Sequence, residues 1–193
     1  PRDCSLDLVR RQPPKLRSLP ALPPVNAGPD GYIDGITAAV DDLDNSYLAV
    51  QGPPGSGKTY VGSHVIARLV AAGWKIGVVA QSHAVVENML CAAVDKAGVD
   101  PRRVAKEVKH DDPVPWTQCA KGDVEELLSK PGGALIGGTA WTMVGSSVPA
   151  GSLDLLVIDE AGQFSLANTM AVSRAAKRLL LLGDPQQLPQ VTQ

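Results

Sequence analysis

The chain has few cysteines, few aromatic residues and no excess of positive charge, and each scarcity excludes a class of protein. Three cysteines lie far apart among 193 residues, so they form neither a disulfide framework nor a zinc site, and the three histidines are equally scattered. We therefore expect a reducing, cytoplasmic environment and no structural metal cluster. No apolar run approaches the length of a membrane span, so we expect no membrane partner.

The net charge is −2 at neutral pH. A protein that grips a nucleic-acid backbone by bulk charge is basic, whereas this chain is not. Any contact with a polynucleotide must therefore come from local groups on a nearly neutral surface.

Three glycines, by contrast, lie together in one short segment that matches a known phosphate-binding pattern. Residues 52–59 match the phosphate-binding pattern G-x-x-x-x-G-K-[ST], between the apolar strand Tyr47–Val50 and an amphipathic helix that opens at Lys58. The candidate nucleotide-binding residues are Gly52, Pro53, Pro54, Gly55, Ser56, Gly57, Lys58 and Thr59. Main-chain N–H groups at a helix start attract anions, so the loop predicts binding of a nucleoside triphosphate. We expect Lys58 to reach the β- and γ-phosphates and the Thr59 hydroxyl to bind Mg²⁺.

The rest of the chain alternates between predicted helices and short apolar strands. The further strands are predicted at 76–80, 134–136, 153–158 and 178–182, with helices near 33–43, 58–73, 85–98, 123–128 and 166–176, and an irregular segment at 99–121. This order predicts an α/β fold: a three-layer P-loop architecture, with a parallel sheet and helices on both faces.

Two acids, Asp159 and Glu160, follow the apolar strand that ends at Ile158. Beside a phosphate-binding loop, Asp159 is the expected second ligand of the metal. Glu160 is the expected general base, which orients and deprotonates the attacking water. Since a phosphotransferase must exclude that water, the acid pair favours hydrolysis.

Polar residues follow most of the predicted strands, as ligand-binding residues do at the carboxyl edge of an open parallel sheet. They lie at Gly52, at 81–82, at Thr139, at 159–160 and at 183–184. We expect these five segments to converge on one active site.

The motifs together resemble the first RecA-like lobe of superfamily 1 helicases, in the branch that contains the nonsense-decay RNA helicase and its DNA relatives. GPPGSGKT (52–59) resembles motif I, VVAQSHAVVENML (78–90) motif Ia, GGTAW (137–141) motif Ic, DEAGQ (159–163) motif II and GDPQQLPQ (183–190) motif III. The sequence around these motifs is also similar to that of a bacterial subfamily in which the helicase module follows a RecB-like nuclease domain.

The resemblance implies ATP and Mg²⁺ as cofactors, and single-stranded nucleic acid, with DNA favoured over RNA, as partner. It assigns Gln187 to sensing of the γ-phosphate. It assigns Ser82, His83 and Thr139 to contacts with the backbone of the strand. Ser82 is also suited to cap a helix. Trp116 and Trp141 could stack on bases, but we expect both of them in the core.

The resemblance covers residues 32–193, so we assign 31–193 to the ATP-binding lobe and 1–30, which is rich in proline and basic residues, to an extended linker or arm. The second RecA-like lobe, with its arginine finger, is expected to be absent from this chain, and the chain alone to hydrolyse ATP slowly. The family's adenine-reading glutamine has no counterpart between residues 13 and 50. Tyr32 is the substitute that we consider.

Two other functions compete with the helicase hypothesis. A GTPase-type switch needs an N-K-x-D motif after a later strand, and the sequence has none. A nucleotide-dependent binding module, or a P-loop switch ATPase without unwinding activity, remains open.

Overall fold

The computed structural model describes residues 4–107, 113–119 and 121–184. The elements in chain order are α1 (Leu6–Val9), α2 (Gly31–Asp42), β1 (Tyr47–Gln51), α3 (Lys58–Ala71), β2 (Lys75–Val79), α4 (His83–Asp95), β3 (Val104–Glu107), β4 (Thr117–Cys119), α5 (Lys121–Ser129), β5 (Ala134–Gly138), α6 (Ala140–Val144), β6 (Leu155–Ile158), α7 (Leu166–Ser173) and β7 (Leu179–Gly183). Short 3₁₀ helices at Pro101–Arg103 and Ala161–Gln163 precede β3 and follow β6.

The seven strands form one sheet in the order β1-β7-β6-β2-β5-β3-β4, and every pair in it is parallel. Because parallel neighbours are joined by crossovers, the helices lie on the two faces of the sheet. The predicted α/β class with a parallel, doubly covered sheet is confirmed.

Side-chain alternation along β6 shows how one strand serves two cores. Leu155 and Val157 pack with α2, α3 and α4, whereas Leu156 and Ile158 pack with α5, α6 and α7. All four side chains are fully buried. A strand that is buried on both faces has no side chain in contact with water, which explains its continuous apolar run.

The N-terminal segment departs from the expected extended arm. Residues 6–9 form α1, and the buried Cys4 thiol donates hydrogen bonds to the carbonyl oxygens of Ser173 (3.6 Å) and Ala176 (3.5 Å). The Ser46 hydroxyl donates to Asp7 at 2.8 Å. These contacts lie where the strands begin, since Ser46 precedes β1 and Ala176 bridges to Leu153 before β6. The prediction of an unpacked segment is therefore wrong for residues 4–9.

The irregular segment expected at 99–121 also needs correction. It contains β3 and β4, which extend the sheet beyond β5. Both strands are short, at four and three residues, so they carry too little alternation to be recognised in the sequence.

Within the described residues, no helix has the combination of length and apolar character needed to cross a bilayer.

Candidate nucleotide-binding site

The phosphate-binding loop joins β1 to α3. Gly55 and Gly57 have left-handed backbone conformations, with φ of +75° and +83°, which explains why glycine occupies both positions. A Cβ on Gly52 would lie 2.5 Å from the Ser56 hydroxyl oxygen, so a larger residue there would force the Ser56 side chain to move. Helix α3 has no acidic residue in its first turn, and its N-terminal partial positive charge is therefore left for an anion.

The Lys58 side chain folds back across the loop. Its ammonium group donates hydrogen bonds to the carbonyl oxygens of Gly52 (2.5 Å) and Pro53 (2.9 Å). An ammonium held this way lies inside the loop, where phosphate oxygens can replace the carbonyl acceptors. The geometry thus fits the phosphate contact expected of Lys58.

Strand β6 lies between β7 and β2 in the sheet and delivers Asp159 and Glu160 to its carboxyl edge. The Asp159 N–H donates to the Val79 carbonyl oxygen at 3.0 Å, and the Asp159 carboxylate accepts from the Glu160 N–H at 2.9 Å. Asp159 is only 5% exposed. Burial raises the pKa of Asp159, the Glu160 charge adds to this effect, and the hydrogen bond from the Glu160 N–H and the Lys58 charge oppose it.

Glu160 has a left-handed backbone with φ +50° and ψ +45°. Its carbonyl oxygen accepts a hydrogen bond from the Gln163 N–H at 2.8 Å, which starts the following 3₁₀ helix. A non-glycine residue in this conformation is strained, and such strain is concentrated at functional sites.

One cleft of about 440 Å³ collects these groups. Its lining residues are Pro54, Gly55, Gly57, Lys58, Thr59, Val85, Asn88, Asp159, Glu160, Gly183 and Asp184. The structure therefore brings the lysine, the threonine and both acids of the predicted site together. Val85 and Asn88 of α4 were not predicted as lining residues. Gln187 lies outside the described residues.

The donor atoms of this cleft fit a magnesium ion. Within the described residues, no group of three or more His, Cys, Asp and Glu side chains forms a metal site of its own. Mg²⁺ needs no such group, because it is held by one or two protein oxygens together with phosphate oxygens and water. The Thr59 hydroxyl and the Asp159 carboxylate line the cleft, and a divalent ion there would offset the cost of burying the carboxylate.

A second cavity of about 240 Å³ adjoins the loop on the side of α2. It is lined by Tyr32, Ile36, Val50, Gln51, Gly52, Pro53, Ser56, Lys58, Val61 and Leu182. Half of these residues are apolar or aromatic, and Tyr32 is 60% exposed. A planar base fits such a lining by stacking and apolar contact.

The predicted nucleic-acid contacts lie at neighbouring strand ends, because Val79 of β2 pairs with Gly138 of β5. Ser82 caps α4 by accepting a hydrogen bond from the Val85 N–H at 3.4 Å, and Ser82 and His83 are exposed. Thr139 occupies the N-cap position of α6 without making a side-chain capping bond. The structure thus shows the capping role of Ser82 and brings all three residues to one edge of the sheet.

The two tryptophans behave differently. Trp116 is 4% exposed, as expected for a core residue, whereas Trp141 is 85% exposed. The core prediction is therefore wrong for Trp141. The residues that precede Trp141, Thr139 and Ala140, form no apolar pattern from which the exposure of Trp141 could have been predicted.

A protein-family model described as an AAA domain matches residues 36–193, which is most of the chain. The chain belongs to this AAA domain family. Among curated proteins, this AAA domain is similar to the DNA replication ATP-dependent helicase/nuclease JHS1 of Arabidopsis thaliana, with 26% identity over 76% of the chain and 11% of that protein. It is also similar to the DNA replication ATP-dependent helicase/nuclease DNA2 of Saccharomyces cerevisiae, with 26% identity over 94% of the chain and 13% of that protein.

The fold of this AAA domain is similar to that of the UvsW helicase from bacteriophage T4. The TM-score is 0.55 at 14% identity, over 82% of the chain and 53% of that structure. The chain spans only a small part of the curated relatives that it matches. The names of these relatives agree with the helicase resemblance of the sequence motifs.

Proposed function

We propose that this AAA domain is the ATP-binding motor lobe of an ATP-dependent DNA helicase or translocase, and that it hydrolyses ATP with Mg²⁺. The observation that carries the proposal is the convergence of Lys58, Thr59, Asp159 and Glu160 on one cleft of about 440 Å³. P-loop hydrolases require a loop, metal ligands and a general base, and residues that we propose for each of these parts line this cleft.

Each residue has a distinct part in the proposed reaction. The N–H groups of residues 52–59 cradle the phosphates, and the Lys58 ammonium exchanges its carbonyl acceptors for β- and γ-phosphate oxygens. Thr59 and Asp159 would hold Mg²⁺, which would neutralise charge that develops on the phosphates. Glu160 orients the attacking water and accepts its proton.

The nucleic-acid part of the proposal is supported by position and by the relatives. Ser82, His83 and Thr139 lie at adjacent strand ends, where hydroxyl and ring N–H groups can contact a strand's backbone. We favour DNA over RNA because both relatives are named as DNA replication helicase/nucleases. We further propose that Gln187 senses the γ-phosphate.

We propose that other domains of the helicase lie outside this lobe. Residues 31–193 are our proposed ATP-binding lobe, joined by residues 1–30 to a RecB-like nuclease domain of the kind that the helicase/nuclease names suggest. A second RecA-like lobe would supply the arginine finger. The scarcity of cysteine supports a cytoplasmic location.

The experiment that tests the proposal compares Glu160→Gln with wild type in the full-length protein. We expect DNA-stimulated ATP hydrolysis to fall about 100- to 10,000-fold, because the general base is removed. ATP affinity should be retained, since Gln keeps the size of the side chain and the loop is intact. Glu125→Gln, an exposed position on α5, is the matched control and should change neither quantity.

The rival function, a nucleotide-dependent binding module, differs from the motor in its prediction for hydrolysis and agrees with it on ATP binding. Such a module turns over no ATP in response to DNA, and Glu160→Gln would leave its ligand binding unchanged. Wild-type protein that binds ATP but shows no hydrolysis with any single-stranded DNA would favour the module and reject the motor.

A further inference from the structure

Trp141 is the most exposed large apolar side chain in the described part of the chain, at 85%. A tryptophan offers one of the largest apolar surfaces of any residue, and leaving it in water forfeits that contribution to folding. An exposed indole on an ordered helix is therefore a candidate contact surface for a binding partner.

The fold holds Trp141 outward. It lies in α6, two residues before Met143, which is fully buried in the core. Two residues correspond to about 200° of rotation around a helix, so burial of one side chain directs the other to solvent. Thr142 packs against the Gly138 backbone, where an added Cβ would approach its side chain to 2.5 Å, and this contact secures the start of the helix.

The position of Trp141 in the fold indicates which kind of partner it would contact. Val79 and Gly138 are paired across β2 and β5, and Ser82 and Trp141 each lie three residues further along their segments. The indole therefore belongs to the same strand-end surface as the exposed Ser82 and His83.

The charge of this surface suits a polyanion. Neither 80–86 nor 137–152 contains an acidic residue, and 137–152 is rich in small and hydroxyl side chains. Glu87, which follows the first segment on α4, is paired with Lys106. An aromatic face beside hydroxyl and ring N–H donors, on two segments that carry no carboxylates of their own, matches the chemistry of a single strand, whose bases stack and whose phosphates accept hydrogen bonds.

We propose that Trp141 stacks on a base of the bound single strand, as a contact in addition to Ser82, His83 and Thr139. The inference rests on the proposed function, since it assigns a base-binding position to the same nucleic-acid surface. Stacking on an indole is available to every base, so the contact adds affinity without sequence preference.

The test measures binding of the chain to fluorescein-labelled oligothymidine by anisotropy. We expect Trp141→Ala to weaken binding by about 5- to 150-fold, which is the usual range for loss of one base-stacking aromatic, and Trp141→Phe to retain part of the affinity. Leu166→Ala is the matched control, because Leu166 is another exposed apolar residue, at 52%, on the neighbouring helix α7. It should bind as wild type does.

An abasic strand with the same number of phosphates separates stacking from other roles of Trp141. Wild type should bind it more weakly than oligothymidine, whereas Trp141→Ala should bind both strands equally. Equal affinities of wild type and Trp141→Ala for oligothymidine would overturn the inference, as would a base-dependent preference that survives in the variant. A protein segment as the true partner of Trp141 gives that same overturning result.

Failure of the stacking inference and failure of the proposed function are distinguishable. If wild type binds oligothymidine and Trp141→Ala binds it equally, only the stacking contact falls. If wild type binds a fluorescent ATP analogue but no single strand at all, the DNA function falls together with the inference.

Discussion

The Lys58 ammonium donates a hydrogen bond to the carbonyl oxygen of Gly52, with 2.5 Å between the two atoms. The charged group that is proposed to bind phosphate is thus held within its own loop by main-chain acceptors. In the proposed function, binding of a nucleotide would exchange these neutral acceptors for charged phosphate oxygens, which form stronger hydrogen bonds.

The first prediction concerns that exchange. Lys58→Ala removes a charge-assisted contact, so we expect affinity for a fluorescent ATP analogue with Mg²⁺ to fall about 10- to 100-fold. The thermal midpoint of the free protein should hardly change, because Lys58 is only partly buried and both hydrogen bonds of its ammonium group stay within its own loop. Lys130→Ala removes an exposed lysine that pairs with Glu126 on α5 and serves as the control. Unchanged nucleotide affinity in Lys58→Ala would contradict the assignment of the loop.

The second prediction concerns the base. Tyr32→Ala should weaken binding of ATP by about 2- to 12-fold through loss of stacking, and Tyr32→Phe should bind like wild type. Tripolyphosphate has no base, so its affinity should be the same in all three proteins when measured by competition. A loss of tripolyphosphate affinity in Tyr32→Ala would mean that Tyr32 acts on the loop and not on the base.

The third prediction is a pH dependence at the N-terminal segment. The Asp42 carboxylate accepts hydrogen bonds from the Ser18 hydroxyl (2.6 Å) and from the Leu19 N–H (2.9 Å), and these bonds hold the pKa of Asp42 below its usual value of 3.8. A lowered pKa stabilises the folded state above the unfolded pKa, and this contribution is lost as the pH falls through the folded pKa. Asp42→Asn should therefore lower the free energy of unfolding at pH 7.

The difference between Asp42→Asn and wild type should shrink once the pH falls below 3.8. Urea denaturation at a series of pH values measures it. The neighbouring Asp41→Asn is the control and should show no such dependence, because Asp41 is exposed and contacts Arg17 through its main-chain oxygen. A constant difference at all pH values would argue against the carboxylate as the cause.

The fourth prediction uses the left-handed backbone of Glu160. Glycine adopts this conformation without the steric cost of a Cβ, so Glu160→Gly should be more stable than Glu160→Ala by about 1 kcal/mol. At Glu125, in the helix α5, the order should invert, because alanine is preferred there by about 1 kcal/mol. Thermal or chemical denaturation of the four variants measures both differences. Equal stabilities at residue 160 would show that the backbone there is relaxed.

Local patterns were sufficient for much of the fold and for the chemical residues of the site. The loop at 52–59 and the acids at 159–160 are short, contiguous signals whose meaning depends only on the element before and after them. Strands β1, β6 and β7 are continuous apolar runs, and α3 has a clear apolar stripe. These elements were predicted at nearly their observed bounds. For β6 and β7 the reason is that burial on both faces of a parallel sheet leaves an unbroken apolar pattern in the sequence.

Weak patterns account for the elements that were missed. Strands β3 and β4 and helix α6 contain three to five residues each, which is less than the length over which periodicity becomes visible. The packing of residues 4–9 was missed for another reason. Contacts of Cys4 with Ser173 and Ala176 span about 170 positions of the chain, and no local window contains both partners.

The sequence by itself therefore predicted the chemical groups of the candidate site: a candidate triphosphate loop, a candidate metal-binding aspartate and a candidate general base, because each depends on residue type within a few positions. Tertiary structure alone decided which of these groups meet. The strand order places β7 between β1 and β6, and it places β2 beside β5, so that acids, loop and exposed indole occupy one edge. Strand order arises from packing of distant segments, and the exposure of Trp141 follows from that packing and not from its neighbours in the chain.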